Sequence, residues 1–243
     1  MMEMSVLIIG FIIIFFAAFI QGITGFGFAV VAVPFLSLFV PLQMVVPIVG
    51  ILCILINFYI YLRERSHTEF KEVKMLLIFI ILFTPLGTYL LVIIDEFYLK
   101  VVTGLLVLFF GVCLWKGKSF SVKNEKAALV TVGSVSGLLN GSIGLMGLPI
   151  ALFMTNQKAD KNVFRANIAL LGFVVAILTF FNYIFIGLIN KEVIEHSLWF
   201  CVALVLGGFV GVKIDKLIKQ ALFLKISTWV IMISGFFTLL FAG

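Results

Sequence analysis

Read for hydrophobicity alone, the chain is a succession of apolar runs cut by short polar loops. Six runs are uninterrupted: residues 43–62, 73–94, 98–115, 166–188, 195–212 and 222–241. Each approaches the roughly 20 residues an α-helix needs to cross a bilayer, so each predicts a membrane-spanning helix. Two further runs, 5–40 and 127–155, are as apolar but broken. The first contains "QGITGFGFAVVAVP" at Gln21–Pro34, the second "NGSIGLMGLP" at Asn140–Pro149. Each glycine weakens a helix by about 1 kcal/mol relative to alanine, so such clusters predict helix breaks inside the bilayer.

Composition agrees with the pattern. The chain of 243 residues is 63% hydrophobic and only 12% charged, about half the charge of a soluble domain. It reads as an all-α polytopic membrane protein, surrounded by lipid. The first run has no basic segment ahead of it and no small-residue cleavage site, so it does not read as a cleaved signal. The net charge of +6 is a matter of loops, because loop Lys and Arg orient membrane spans. Four basic residues lie between Arg63 and Lys74, four from Lys116 to Lys126, three from Lys158 to Arg165 and four from Lys213 to Lys225. Lys100 and Lys191 stand alone in the loops between. The rich loops are expected inside and the poor ones outside, with both chain ends outside. No basic patch is interleaved with aromatics, so nucleic acid is not an expected partner. Cys53, Cys113 and Cys201 are isolated in apolar spans, which supports neither a disulfide framework nor a metal site.

With these sides assigned, residues 127–155 begin and end inside. They predict a hairpin of two half-helices of about a dozen residues, each about 18 Å long and meeting near mid-bilayer. By parallel, 5–40 is a second hairpin entering from outside. An internal repeat supports the parallel. Gly22 and Gly25 recur as Gly141 and Gly144 at a shift of 119, Leu86-Gly87 and Asp95 as Leu206-Gly207 and Asp215 at 120, and Leu99-Lys100 as Leu224-Lys225 at 125. The expected organisation is a first repeat over 1–115, a cytoplasmic linker over 116–126 and a second repeat over 127–243. Each repeat is a broken-helix hairpin plus three spans. Three is odd, so the repeats are inverted, as in many secondary transporters.

The breaks have a chemical use. Irregular backbone at membrane depth is tolerated where it is buried in protein or lines a wet cavity. Where the second half-helix begins, free N–H groups and the helix dipole favour an anion. Glycine lets a ligand approach the backbone closely. The candidate substrate site is therefore the two tips: Gln21, Gly22, Thr24, Gly25 and Gly27, with Asn140, Gly141, Ser142, Gly144 and Gly147. Thr24 and Ser142 offer hydroxyls to cap the second half-helix or touch a ligand, and Pro149 suits a first helical turn. A single glycine pair is better explained by close helix packing. Two matched, polar-flanked clusters in related hairpins favour a site. Arg165, in "VFRANIAL", either attracts an anion at the cytoplasmic mouth or simply anchors its span.

Other polar residues say less. Asn57, Asn167 and Asn182 are expected to bond neighbouring helices. His67 and His196 are expected in loops at span ends, and no carboxylate is expected deep in a span. The usual proton relay is therefore missing. Coupling could use a proton carried by the substrate, Na⁺ at half-helix carbonyl ends, or nothing.

At the two breaks the chain resembles a known family. "GITGFGFAVVAVPFL" and "GLLNGSIGLMGLP" are similar to the two signature segments of the TauE/SafE sulfite-exporter family, also called the toluene-sulfonate uptake permease family. The resemblance extends over essentially the whole chain. The second segment differs from the denser glycine run or Gly-Pro-Pro that the family often carries, having Gly144-Leu145-Met146-Gly147-Leu148-Pro149 instead. The resemblance implies transport of a small sulfur-containing or organic anion across the cytoplasmic membrane, with no cofactor.

Two other classes compete. A membrane enzyme needs a nucleophile with its base, or a metal site, and Ser136 and Ser142 have no visible base. The other is an anion channel, which would also use broken helices, or a signalling or other non-transport membrane subunit. Saturation and counterflow mark a carrier; ohmic single-channel current marks a pore.

Overall fold

In the computed structural model the described residues are 4–116, 124–215 and 220–240, so most of the 116–126 linker and Lys216 and Lys219 lie outside them. Among the described residues there are ten α-helices and one 3₁₀ turn. In the first half these are α1 (Met4–Thr24), α2 (Phe28–Leu36), α3 (Leu42–Glu64), the turn Arg65–His67, α4 (Phe70–Ile93) and α5 (Glu96–Lys116). In the second half they are α6 (Glu125–Ile143), α7 (Gly147–Asn156), α8 (Lys161–Ile186), α9 (Lys191–Asp215) and α10 (Gln220–Leu240). Among the described residues, the helices found long and apolar enough to cross a membrane are α1, α3, α4, α5, α8 and α9.

Polar residues between the runs start the helices. Asp160 accepts from the Asn162 N–H at 2.8 Å, Asn190 from Val193 at 2.9 Å and Asn124 from Ala127 at 3.2 Å. These are N-caps that satisfy amides left over at a helix start. Exposed Phe185, Trp199, Leu82 and Tyr98 cover the outside, which in a bilayer is the lipid-facing surface.

The two breaks fall later than the expected half-helices require. The first arm of each pair is nearly full length: α1 has 21 residues and α6 has 19, about 31 and 28 Å at 1.5 Å per residue. The second arms, α2 and α7, have 9 and 10 residues. The cause is that Gly22 and Gly141 are helical. Within the two breaks, the backbone enters the left-handed region that stops a helix at Gly25 and Gly27 (φ +78° and +104°) and at Gly144 (φ +71°).

Gly22 and Gly141 serve packing instead. Helix α1 lies along α9, α6 along α4, α3 along α8 and α5 along α10. A Cβ on Gly22 would stand 2.7 Å from the Gly208 carbonyl oxygen and 2.8 Å from the Val212 nitrogen. A Cβ on Gly141 would stand 2.2 Å from the Thr84 oxygen and 2.4 Å from the Thr88 nitrogen. The partner surfaces match as well. A Cβ on Gly211 would meet the Phe19 oxygen at 2.2 Å and the Gly22 Cα at 3.1 Å; one on Gly87 would meet the Leu138 oxygen at 2.2 Å and the Gly141 Cα at 3.1 Å. Apolar burial drives little association inside a bilayer, so such backbone-to-backbone contact carries helix pairing there.

Candidate functional site

A cavity of about 70 Å³ lies in the middle of the bundle, between the two breaks and the facing stripes of α3 and α8. Helix α3 contributes Val46, Val49, Gly50, Cys53 and Asn57, and α8 contributes Ile168, Gly172, Ala176, Thr179 and Tyr183. The spacing of three and four places each set on one helical face. The first turns of both short helices complete the wall: Phe28, Ala29 and Val30 of α2, and Gly147 of α7 with Gly144–Met146 before it. Two larger grooves, of about 170 and 410 Å³, are almost wholly apolar, with Leu55 and Phe209 in one and Phe110 and Leu152 in the other.

Two polar pairs flank the cavity. Gln21 Nε2 donates to Asn57 Oδ1 at 2.9 Å, linking α1 to α3. Asn140 Nδ2 donates to Thr179 Oγ1 at 2.7 Å, linking α6 to α8. Gln21 also accepts from the Phe28 N–H through Oε1 at 2.8 Å, so it is the side-chain cap at the start of α2. Thr179 passes its own hydrogen to the Val175 oxygen at 2.8 Å. Among the described residues, no Lys, Arg, His, Asp or Glu lines the cavity.

The tips are held from α8. Arg165 is fully buried and does not line the cavity. Its Nη1 donates to the Ile23 carbonyl at 2.7 Å and its Nη2 to the Gly22 carbonyl at 3.3 Å. A guanidinium at the negative end of α1 both satisfies terminal carbonyls and meets the dipole. Nε lies 3.5 Å from Glu64 Oε1, so the same side chain ties the tip to the end of α3. Eighteen positions along α8, the Tyr183 hydroxyl donates to the Gly141 carbonyl at 3.1 Å, at the end of α6. Phe26 and Phe164 pack edge to face with centroids 5.7 Å apart, closing the wall between the first tip and α8.

Residues 10–238 match the family model described as Sulfite exporter TauE/SafE. The chain belongs to the TauE/SafE family. It is therefore a multi-pass membrane transporter and not an enzyme, of a family whose substrates are small anions, sulfur compounds among them. No curated protein matches the chain, and no solved structure does.

Of the residues nominated from the sequence of this TauE/SafE chain, Gln21, Gly27, Asn140, Gly144 and Gly147 come together around the cavity. Gly22 and Gly141 lie instead at the α1–α9 and α6–α4 contacts. Gly25 packs on the stem of Arg165: a Cβ there would stand 2.4 Å from Arg165 Cγ. The Thr24 hydroxyl is spent on the first tip itself, on the Ile20 oxygen at 2.7 Å and on the backbone of Phe26. Ser142 donates back to the Leu138 oxygen at 2.7 Å. Pro149 does fall in the first turn of α7.

His196 is a correction. It lies within α9 and is buried, bonding the Glu192 carbonyl through Nδ1 rather than being solvated in a loop. Asn167 does bridge helices, accepting from the Glu69 N–H at 2.9 Å. Sequence reasoning passed over Glu64, Thr179, Tyr183 and Gly172. A polar residue at helical spacing on a cavity-facing stripe is a usable signal, but only once the facing stripe is known.

Proposed function

We propose that the chain binds a small sulfur-containing or organic anion in the central cavity and carries it across the membrane by alternating access. One observation carries the reading: the first turns of α2 and α7 line the same cavity. The first amides of a helix have no intrahelical partner, and the dipole adds about half a positive charge at each start. Two such starts present fixed positive potential in a site without cationic side chains, which suits an anion. Membership of a transporter family with small anionic substrates supports it.

In this reading the halves are inverted repeats, 1–115 and 127–243, joined by a cytoplasmic linker. The matched surroundings of Gly22 and Gly141, and of Gly211 and Gly87, support the duplication. They also move its register. Gly87 corresponds by contact to Gly211, one helical turn beyond the Gly207 that letter matching selects. The pairs Gln21–Asn57 and Asn140–Thr179 then occupy equivalent places.

The test is uptake into proteoliposomes of sulfite, thiosulfate, methanesulfonate and acetate, with a thermal-shift screen of the purified protein against the same anions. Saturable uptake with counterflow supports the carrier. Ohmic single-channel current replaces it with a pore, and no binding or flux of any of these anions overturns it.

A further inference from the structure

The hydrogen bonds around Gln21 run in one direction, and that direction fixes what Asn57 shows to the cavity. The Phe28 N–H can only donate, so the oxygen of the Gln21 carboxamide must face it, at 2.8 Å. The nitrogen of that carboxamide then faces Asn57, and Asn57 must answer with its oxygen, at 2.9 Å. An amide's orientation is set by such partners rather than seen directly. Here a backbone amide sets both side chains in turn. Asn57 is left with Nδ2 as its remaining polar atom. Asn57 is 5% exposed and lines the cavity, and among the described residues its only hydrogen bond is the one it accepts from Gln21. That donor is not sealed in protein but open at the cavity wall, where a ligand can accept from it.

Gly172 supports the placement. A Cβ on Gly172 would stand 2.7 Å from Asn57 Nδ2 and 2.8 Å from its Cγ. The carboxamide thus lies against the bare backbone of α8, and any side chain there would displace it.

We propose that Asn57 is the side chain that recognises the transported anion. It donates Nδ2–H to an oxygen of the ligand, while Gln21 ties that donor to the start of α2. The inference rests on the anion-transport reading above. It names the ligand class more narrowly: an oxyanion that accepts from a neutral amide and is small enough for a cavity of about 70 Å³.

The test is Asn57→Asp, which keeps the shape and the oxygen that Gln21 needs but replaces the free donor with an acceptor. A carboxylate also repels an anion, so a structural Asn57 predicts weaker binding in this variant too, and Gly172→Ala, which brings no charge, separates the two roles. Recognition predicts that the sulfite Kd in detergent rises at least about tenfold at pH 7.5, since a hydrogen bond to a charged group is lost. The variant-to-wild-type Kd ratio should shrink toward pH 5.5, because a protonated carboxyl again offers a donor. Taking the ratio at each pH cancels sulfite's own titration. Gly172→Ala is the second variant: it favours the helix, so folding is preserved, yet it pushes the Asn57 amide aside and should also weaken sulfite binding severalfold. If Asn57→Asp does not fold, Gly172→Ala decides. Binding within twofold of wild type in Gly172→Ala, whatever Asn57→Asp does, overturns the role of Asn57 and leaves the anion reading standing. Failure of the wild-type protein to bind any of sulfite, thiosulfate, methanesulfonate and acetate overturns both.

Discussion

Gly25 and Gly187 give a controlled comparison between backbone strain and a steric clash. Their φ values are +78° and +80°, so alanine at either position pays the same left-handed penalty, about 1–2 kcal/mol. Their surroundings differ completely. A Cβ on Gly187 would have nothing within 4 Å, whereas one on Gly25 would lie 2.4 Å from Arg165 Cγ, 3.0 Å from its Cβ and 3.3 Å from its Cα. Rotating the end of the side chain cannot relieve this, because the contact begins at the root of Arg165. The stem has to move by about 1 Å to regain ordinary contact distance. That pulls the guanidinium from the Ile23 and Gly22 carbonyls and from Glu64. Hydrogen bonds to a charged group are worth about 1.5–3 kcal/mol each. Partial loss of this set adds roughly 2–4 kcal/mol to the strain.

Gly187→Ala should therefore cost about 1–2 kcal/mol and Gly25→Ala roughly 3–6 kcal/mol. For a chain of this length 1 kcal/mol corresponds to about 2–4 °C in Tm. The assay is tryptophan fluorescence during heating in one detergent at one scan rate, since unfolding of such a protein is under kinetic control. The expected result is a loss of a few degrees for Gly187→Ala and of about 10 °C or more for Gly25→Ala. Equal losses in the two variants would refute the claim that Arg165 is a fixed support of the first tip.

Three further outcomes follow from the same geometry. Ser142→Ala should leave sulfite affinity within twofold of wild type, because the hydroxyl is committed to the Leu138 carbonyl; isothermal titration is the check. With Cys113 and Cys201 replaced by Ala, alkylation of Cys53, which lines the cavity, should slow in saturating methanesulfonate, which does not consume the reagent; an unchanged rate counts against binding there. Single cysteines replacing Lys126 and Lys158 should label from the cytoplasmic side in intact cells, and labelling from opposite faces would make α6–α7 one crossing and end the inverted-repeat proposal.

The long apolar runs and the segments that hold both breaks were legible in the sequence, because a bilayer leaves little freedom over where uncharged residues go; the point of each break, and so the unequal arms, was not. Nor was the division of labour among the glycines. Gly22 and Gly25 differ neither in type nor in neighbourhood along the chain. What separates them is what stands opposite: the backbone of α9 for Gly22 and the stem of Arg165 for Gly25. The hydroxyls failed as markers for a related reason. Inside a bilayer a Ser or Thr with no water satisfies itself on the carbonyl one turn back, as Thr24 and Ser142 do, and so offers less to a ligand than its chemistry promises.

A carboxamide behaves differently, because it has two faces and a helix carbonyl can use only one. Tied at its oxygen, it keeps a donor. Asn167 is tied at its oxygen in the same way and also keeps Nδ2, but it does not line the cavity; Asn57 does, which makes it the stronger candidate once the Phe28–Gln21–Asn57 chain is traced. The helix start that attracts an anion and the side chain that reads it are then parts of one hydrogen-bonded unit. A movement of the first tip that carries α2 away from α3 must break the Gln21–Asn57 link or drag Asn57 with it. Either event alters the donor presented to the cavity, so binding and tip position cannot be independent in this protein.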